Sequence, residues 1–242
     1  DYKLNNGNLH PLLKQAYSMS KANIGVSDFQ LKQMARFGIS NLELIPNMVN
    51  GQLFTVREIQ NTKPFEFLSI GRLEDQKGFD VLLKSLNQLK QIGYSEVKLR
   101  IGGTGKLKNR LLKLCNKLDL DNDVIWLGEL NRNDVIREMQ SSNAFVLASR
   151  HESSGLVLAE AIACGKPIIS TACGGPEDIV SKKNGLLVKL NDPDALSSQM
   201  IKLIENYSSY NPNTIRSEFD EKFSSEVVGK SLYELYQETI QL

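Results

Sequence analysis

The stretch AFVLASRHESSGLVLAEAIACGKPIIS, residues 144–170, decides the fold. It opens on a short β-rich run, Ala144-Phe145-Val146-Leu147-Ala148, and closes on another, Pro167-Ile168-Ile169-Ser170. Between them, Ser154 to Cys164 has helical spacing, with Ser153 or Ser154 placed to cap the first turn. Strand, loop, helix and strand therefore follow one another without interruption. The same rhythm extends in both directions. Further strand-like runs are 66–70, 97–101, 124–127 and 186–188. Amphipathic segments lie between them: a stripe of Val81, Leu82, Leu86 and Leu89, then 106–118 and 133–141, and a helix opened by Asp192-Pro193. Alternating strands and helices predict an α/β fold: a doubly wound parallel sheet, helices on both faces, ligands at the carboxyl ends of the strands.

The ends of the chain read differently. Residues 23–27 and 42–46 suggest strands around a helix at 29–37, preceded by another helix. One such βαβ unit cannot close a domain of its own. The stretch from Phe223 to Leu242 predicts a long final helix whose apolar face is Val227, Leu232, Leu235 and Tyr236.

Four loops at predicted strand ends carry the chemistry. Gly71-Arg72-Leu73-Glu74-Asp75-Gln76-Lys77-Gly78 presents an Arg fork and a mobile Lys, which suit a diphosphate. Read alone, it is equally a solvated basic turn. Gly102-Gly103-Thr104-Gly105 allows close approach of backbone to ligand, yet a plain tight turn explains it as well. It departs from the dinucleotide fingerprint at Lys108, and Leu107 breaks a phosphate-loop pattern. Glu152 to Glu160 places two carboxylates around a helix start. Amides near Ser154, Gly155 and Leu156 can hold phosphate there, and a carboxylate accepts two hydrogen bonds from vicinal hydroxyls. A surface acid and a helix-face charge are the plainer alternative, weakened because Glu160 stands among Leu158, Ala159, Ala161, Ile162 and Ala163 and needs a partner if buried. Gly174-Gly175-Pro176-Glu177-Asp178 could close over phosphates or simply connect helix and strand.

In combination these loops resemble glycosyltransferase family 4 (group 1), of the two-lobed GT-B fold. The resemblance rests on Gly71-Arg72-Leu73 with Lys77-Gly78, Ile101 to Gly105, Trp126-Leu127-Gly128 and Glu152 with Glu160. Gly165-Lys166-Pro167, Gly174-Gly175 with Glu177, and Asn184 to Val188 complete it. It runs from about Ser27 to the end. It implies a Rossmann-like C-terminal, donor-binding lobe at 51–222, a remnant of the N-terminal acceptor lobe at 1–50, and a crossover helix at 223–242 bracing that lobe. It also implies transfer of a sugar, with retention, from a UDP-, GDP- or ADP-sugar. Arg72 and Lys77 would bind the diphosphate, and Glu152 would contact hydroxyls of the sugar. Glu160 would hold the ribose, and Ser154, Gly155 and Leu156 would offer amides. The base would lie near Gly103 and the 128–130 segment that ends in Leu130, beside Gly71. The chain departs from the family pattern at Thr104 and Lys106, where an acid and a proline are common, and at Ser154, where an aromatic is common.

The resemblance implies no metal and no cofactor: positive charge comes from Arg72 and Lys77, and neither His10 nor His151 belongs to a metal-ligand cluster. The acceptor, whether glycan, lipid or small molecule, would be chosen by the lobe represented only at 1–50, which would also carry any membrane contact. Asp1 in place of an initiator Met suggests a piece of a longer chain, expected to bind donor weakly without transferring sugar. A GT-B-type nucleotide-sugar epimerase and a noncatalytic nucleotide-binding module remain as alternatives. The 242 residues carry a net charge of +1, so a nucleic-acid partner is not expected. Three cysteines, none in a Cys-x-x-Cys, suggest reducing cytoplasm rather than a disulfide framework, with peripheral contact at the inner membrane face left open.

Overall fold

The computed structural model describes residues 9–57 and 63–240. The ends of the expected 1–50 and 223–242 units, residues 1–8 and 241–242, lie outside the described residues. In chain order come α1 (Pro11–Met19), β1 (Asn23–Gly25), α2 (Asp28–Arg36), β2 (Leu42–Leu44), β3 (Phe65–Ile70), α3 (Phe79–Gln91) and β4 (Val97–Gly102). Then follow α4 (Lys108–Lys117), β5 (Val124–Gly128), α5 (Arg132–Ser141), β6 (Ala144–Leu147), α6 (Leu156–Ala163), β7 (Ile168–Thr171) and β8 (Gly185–Val188). The chain ends in α7 (Pro193–Glu205), α8 (Pro212–Lys222) and α9 (Ser225–Ile240).

The central sheet is parallel throughout, in the order β5-β4-β3-β6-β7-β8. Helices cover both of its faces, and β6 and β7 are buried at every position. Alternation along each strand feeds two cores. Phe67, Leu99 and Val146 join Leu82, Leu86 and Leu89 of α3, Leu111 of α4, and Leu196, Met200 and Leu203 of α7. Leu68, Phe145 and Leu147 join Met139 of α5, Leu158 and Ile162 of α6, and Ile215 and Phe219 of α8. This is the doubly wound Rossmann-like arrangement expected from the sequence. β1 and β2 form a separate two-stranded parallel sheet.

Three local expectations are corrected. The cap of α6 is Gly155, in the left-handed region, with no side-chain cap; neither Ser153 nor Ser154 caps it. The loop needs a sharp turn there, which Gly supplies without a Cβ penalty. Phe223 does not begin the last helix: it is the C-cap of α8, a helix hidden in the sequence although Asn211 and Pro212 mark its start with a side-chain cap and a first-turn proline. Of the expected apolar face of α9, Val227 and Tyr236 are exposed while Leu232 and Leu235 are half-buried, and Val228 is the buried residue. Helix α9 lies over the surface, beginning beside Val49, which bridges Ser224, and ending where Lys21 Nζ donates to the Thr239 carbonyl at 2.7 Å. Among the described residues no helix is long and apolar enough to cross a membrane.

Leu82 is fully buried whereas Leu112 is 36% exposed. Urea denaturation should therefore place Leu82→Ala about 2–5 kcal/mol below wild type. Leu112→Ala should stay within roughly 0.5 kcal/mol.

Candidate active site

Strand order reverses direction between β3 and β6. The chain winds outward from β3 through β4 to β5, then returns to β6 and proceeds the other way. The connections leaving β3 and β6 consequently part on opposite faces and leave a crevice at their carboxyl ends. Residues 71–78 and 148–155 are its two walls. They touch because Gly78 has φ +63° and no side chain: a Cβ there would lie 2.0 Å from the Ala148 carbonyl oxygen. The amide of Arg150 donates to the Gln76 carbonyl at 2.7 Å, and Gln76 Nε2 donates to the His151 carbonyl at 2.8 Å. The Arg150 guanidinium also grips both oxygens of Asp80 at 3.0 Å and Asn191 Oδ1 at 2.8 Å.

Across this crevice, Lys77 Nζ donates to Glu152 Oε1 at 2.5 Å. Ser149 Oγ donates to the same oxygen at 2.7 Å. Both charged side chains are mostly buried, at 19% and 13% exposure. The Lys77 stem crosses Gly71, where a Cβ would only just fit at 3.4 Å. Arg72 does not join them. Its side chain is 72% exposed and, among the described residues, reaches only Glu74, at 3.5 Å. Of the two cations expected at a diphosphate, the lysine is buried and paired and the arginine is exposed.

The Glu152 segment leads into the N-terminus of α6. Its backbone pairs with the next loop: Glu152 N–H donates to Cys173 O at 3.2 Å and Gly175 N–H to Glu152 O at 2.8 Å. Glu177 caps that loop by accepting from the Gly174 amide at 2.9 Å. With Gly155 as cap, the amides of Leu156 and Val157 have no acceptor among the described residues. They provide the partly positive helix end expected near Ser154, Gly155 and Leu156. Residues of the 1–50 unit hold this loop from outside. Ser27 Oγ donates to Ser153 O at 2.5 Å, and Asn47 Nδ2 donates to Ser154 Oγ at 3.1 Å. A cavity of about 410 Å³ lies between the two parts, lined by Ser27, Leu44, Asn47, Ser154, Leu156 and Val227 among others.

Gly103 and Leu130 follow the carboxyl ends of β4 and β5, and Glu160 stands within α6. Gly103 stands at φ +125°, and a Cβ there would fall 2.0 Å from the Gly71 carbonyl oxygen. Its amide donates to Gly128 O at 2.6 Å, and Leu130 packs against Gly102. These contacts bring the ends of β3, β4 and β5 together. Glu160 is 7% exposed. The partner its burial requires is Arg132, whose Nη1 donates to Oε1 at 2.6 Å. Burial pushes the Glu160 carboxyl above its ordinary range, and the charge and hydrogen bond of Arg132 pull it part of the way back. Arg132, Ser149, Arg150, Ser27 and Asn47 were not among the sequence candidates. The Asn131–Asp134 capping box places Arg132 at the first position of α5, on the ligand edge of the sheet, and was the available signal. Among the described residues no cluster of three or more His, Cys, Asp or Glu is placed to hold a metal ion.

The family model for "Glycosyl transferases group 1" matches residues 54–218, more than half of the chain. An uncharacterized glycosyltransferase of Methanocaldococcus jannaschii is 28% identical over 228 residues, covering 93% of this chain and 62% of that protein. A GDP-mannose-dependent monoacylated alpha-(1-6)-phosphatidylinositol monomannoside mannosyltransferase of Corynebacterium glutamicum is 29% identical over 175 residues, 69% of this chain and 45% of that protein. Among solved structures, Anabaena HepE in complex with UDP and glucose is similar in fold, with a TM-score of 0.83 at 19% identity over 94% of this chain and 66% of that one. The chain spans about half the length of the curated relatives it matches.

The glycines of the site should rank in a definite order. Gly155 has φ +71° but room for a methyl group, with its nearest neighbour at 3.4 Å. Gly155→Ala should cost roughly 1–2 kcal/mol of stability from backbone strain alone. Gly103→Ala adds a collision with Gly71 and should cost ~3 kcal/mol or more. Urea midpoints of the two variants, at unchanged slope, measure the difference.

Proposed function

The chain belongs to the group 1 glycosyl transferases, and we propose that it is the donor-binding part of a retaining, family 4 enzyme using a UDP-, GDP- or ADP-sugar. The observation that carries this reading is the Lys77–Glu152 pair across the switch-point crevice. It sets a cation and a carboxylate side by side, next to an uncapped helix start. A nucleotide sugar has the matching order of parts: sugar hydroxyls, diphosphate, then ribose and base.

In this reading the sugar hydroxyls meet Oε2 of Glu152, Oε1 being held by Lys77 and Ser149. The diphosphate lies against the amides of Leu156 and Val157, with Ser154 and Gly155 turning the chain away from it. Arg72 folds in from solvent. When the bond from the anomeric carbon to the diphosphate breaks, negative charge collects on the departing oxygens. Arg72 and Lys77 stabilise that charge, so the reading requires neither metal nor cofactor. Lys77 then exchanges a carboxylate for a phosphate, which keeps the buried cation paired at every stage. Glu160 accepts from the ribose, and the base rests near Gly71, Gly103 and Leu130.

The division of labour follows the same reading. Residues 51–222 form the donor lobe, residues 1–50 belong to the acceptor lobe, and 223–242 cross back to it. Acceptor choice and any contact with the inner face of a membrane belong to that lobe in a cytoplasmic enzyme. On its own the chain binds nucleotide and does not transfer sugar. That HepE was solved with UDP, and that the mannosyltransferase relative is named for GDP-mannose, supports a nucleoside diphosphate donor without choosing the base.

Isothermal titration of this chain with UDP, GDP and ADP should detect binding to at least one. Among the described residues Arg72 pairs only with Glu74, so Arg72→Ala should fold normally. It should nevertheless weaken that binding by about 1.5–3 kcal/mol, roughly 10- to 150-fold. No binding to any of the three, or full affinity in the variant, would overturn the assignment.

A further inference from the structure

Glu160 meets a single hydrogen-bond donor among the described residues, Arg132. That arginine is unusual in its own surroundings. It is the first residue of α5, whose start is pinned by the reciprocal bonds of Asn131 and Asp134. Its guanidinium lies over the ring of Phe54, 4.5 Å from the centroid, while the side chain remains 49% exposed. Phe54 is fully buried, and its carbonyl accepts from Arg216 Nη1 at 2.6 Å. The cation is therefore fixed on three sides: by its backbone, by an immobile aromatic face beneath it, and by the Glu160 carboxylate. The second oxygen of Glu160 has no hydrogen-bond donor among the described residues.

We propose that Arg132 is a positioning residue for the nucleoside: it anchors one oxygen of Glu160 so that the other is presented, at a fixed angle, to the vicinal hydroxyls of the donor's ribose. The inference rests on the reading that Glu160 receives the ribose, and adds to it the group that makes Glu160 competent. Arginine suits the task better than lysine because its planar cation can stack on Phe54 and bond in plane to the carboxylate at once. An acid 7% exposed and without such an anchor has two ways to relieve its burial: rotating toward water or taking up a proton. Either removes the acceptor a ribose needs.

The consequence for pH follows from the same contacts. Burial raises the Glu160 carboxyl, and Arg132 from α5 opposes it. Cys164, one turn further along α6, stays neutral because burial pushes its thiol up to about 12; Lys166 and Arg216 act on that thiol. Ribose binding requires the ionised acid, so affinity is complete above the Glu160 pKa and declines as pH falls through it. Without Arg132 burial acts unopposed, the pKa rises further, and the decline moves to higher pH.

The test uses whichever of UDP, GDP and ADP the chain binds, together with its 2′-deoxy analogue, titrated between about pH 5 and pH 9. Wild type should prefer the ribonucleotide. Arg132→Ala should weaken ribonucleotide binding about tenfold or more at neutral pH, reduce the ribose preference toward unity, and shift the acid limb of the affinity profile upward. Arg132→Lys should recover part of all three. If Arg132→Ala does not fold, Arg132→Gln and Phe54→Leu carry the same readouts. A variant that melts earlier but keeps the ribose preference and the wild-type pH profile would reduce Arg132 to a structural prop and overturn the proposal. Glu160→Gln separates the two layers. If it keeps full affinity and ribose preference, the ribose reading itself fails; if it loses them while the Arg132 variants do not, only the anchoring role fails.

Discussion

Lys77 and Glu152 are 75 residues apart in the chain and 2.5 Å apart in the structure, and most of the architecture exists to make that meeting cheap. Burying either charge alone would be strongly unfavourable; burying both in contact, with Ser149 supplying a further hydrogen bond, is tolerable. The contact needs two strand ends to be neighbours while the chains leaving them diverge. Only the reversal between β3 and β6 provides that. It also needs two loops to approach within backbone contact, which Gly78 permits against Ala148 and Arg150 secures against Asp80. The site is therefore a product of sheet topology first and of side-chain chemistry second.

Both site carboxylates follow one electrostatic pattern. Each is mostly buried, each gives one oxygen to a cation from another part of the chain, and each keeps the other oxygen unengaged among the described residues. A free carboxylate in such surroundings would rotate or protonate. A fully paired one would have nothing left for a ligand. Half-pairing settles orientation while preserving acceptor capacity: each cation fixes one oxygen of its carboxylate and leaves the other available. Arg72 is the contrast: exposed and weakly held, it can travel to a ligand that the rigid pair awaits.

The strands and most helices were legible because period-two and helical spacing report burial directly. Apolar runs such as Phe145-Val146-Leu147 have no other plausible use. The loops at the carboxyl edge of the sheet were legible for a related reason: Gly78, Gly103 and Gly155 stand in them at positive φ, a backbone that favours glycine. The partners of the charged residues were another matter. Nothing in the spacing of Arg132 and Glu160 announces a contact between two different helices, and Arg150 looks like any loop arginine until Asp80 is brought beside it. The cap of α6 was misplaced because Ser153 and Ser154 are good caps in isolation, and a loop held by Ser27, Asn47 and Cys173 overrides that local preference. The burial of α9 was only partly anticipated, because Val227 and Tyr236 are apolar without being buried while Leu232 and Leu235 are half-covered; periodicity alone does not distinguish a face already covered from one left exposed.

The grip of the 1–50 unit on the active loop has a mechanical meaning. Ser27 holds Ser153, Asn47 holds Ser154, Asp178 receives the Asp28 amide at 2.7 Å, and the rings of Phe29 and His151 meet edge to face. Every one of these ties ends on the segment that carries Glu152 or on the loop paired with it. A tilt of the small unit would thus be transmitted through these hydrogen bonds to the segment that carries Glu152. The joint behaves as a lever, whose short arm is a hydrogen-bonded loop and whose long arm is whatever leans on β1 and β2.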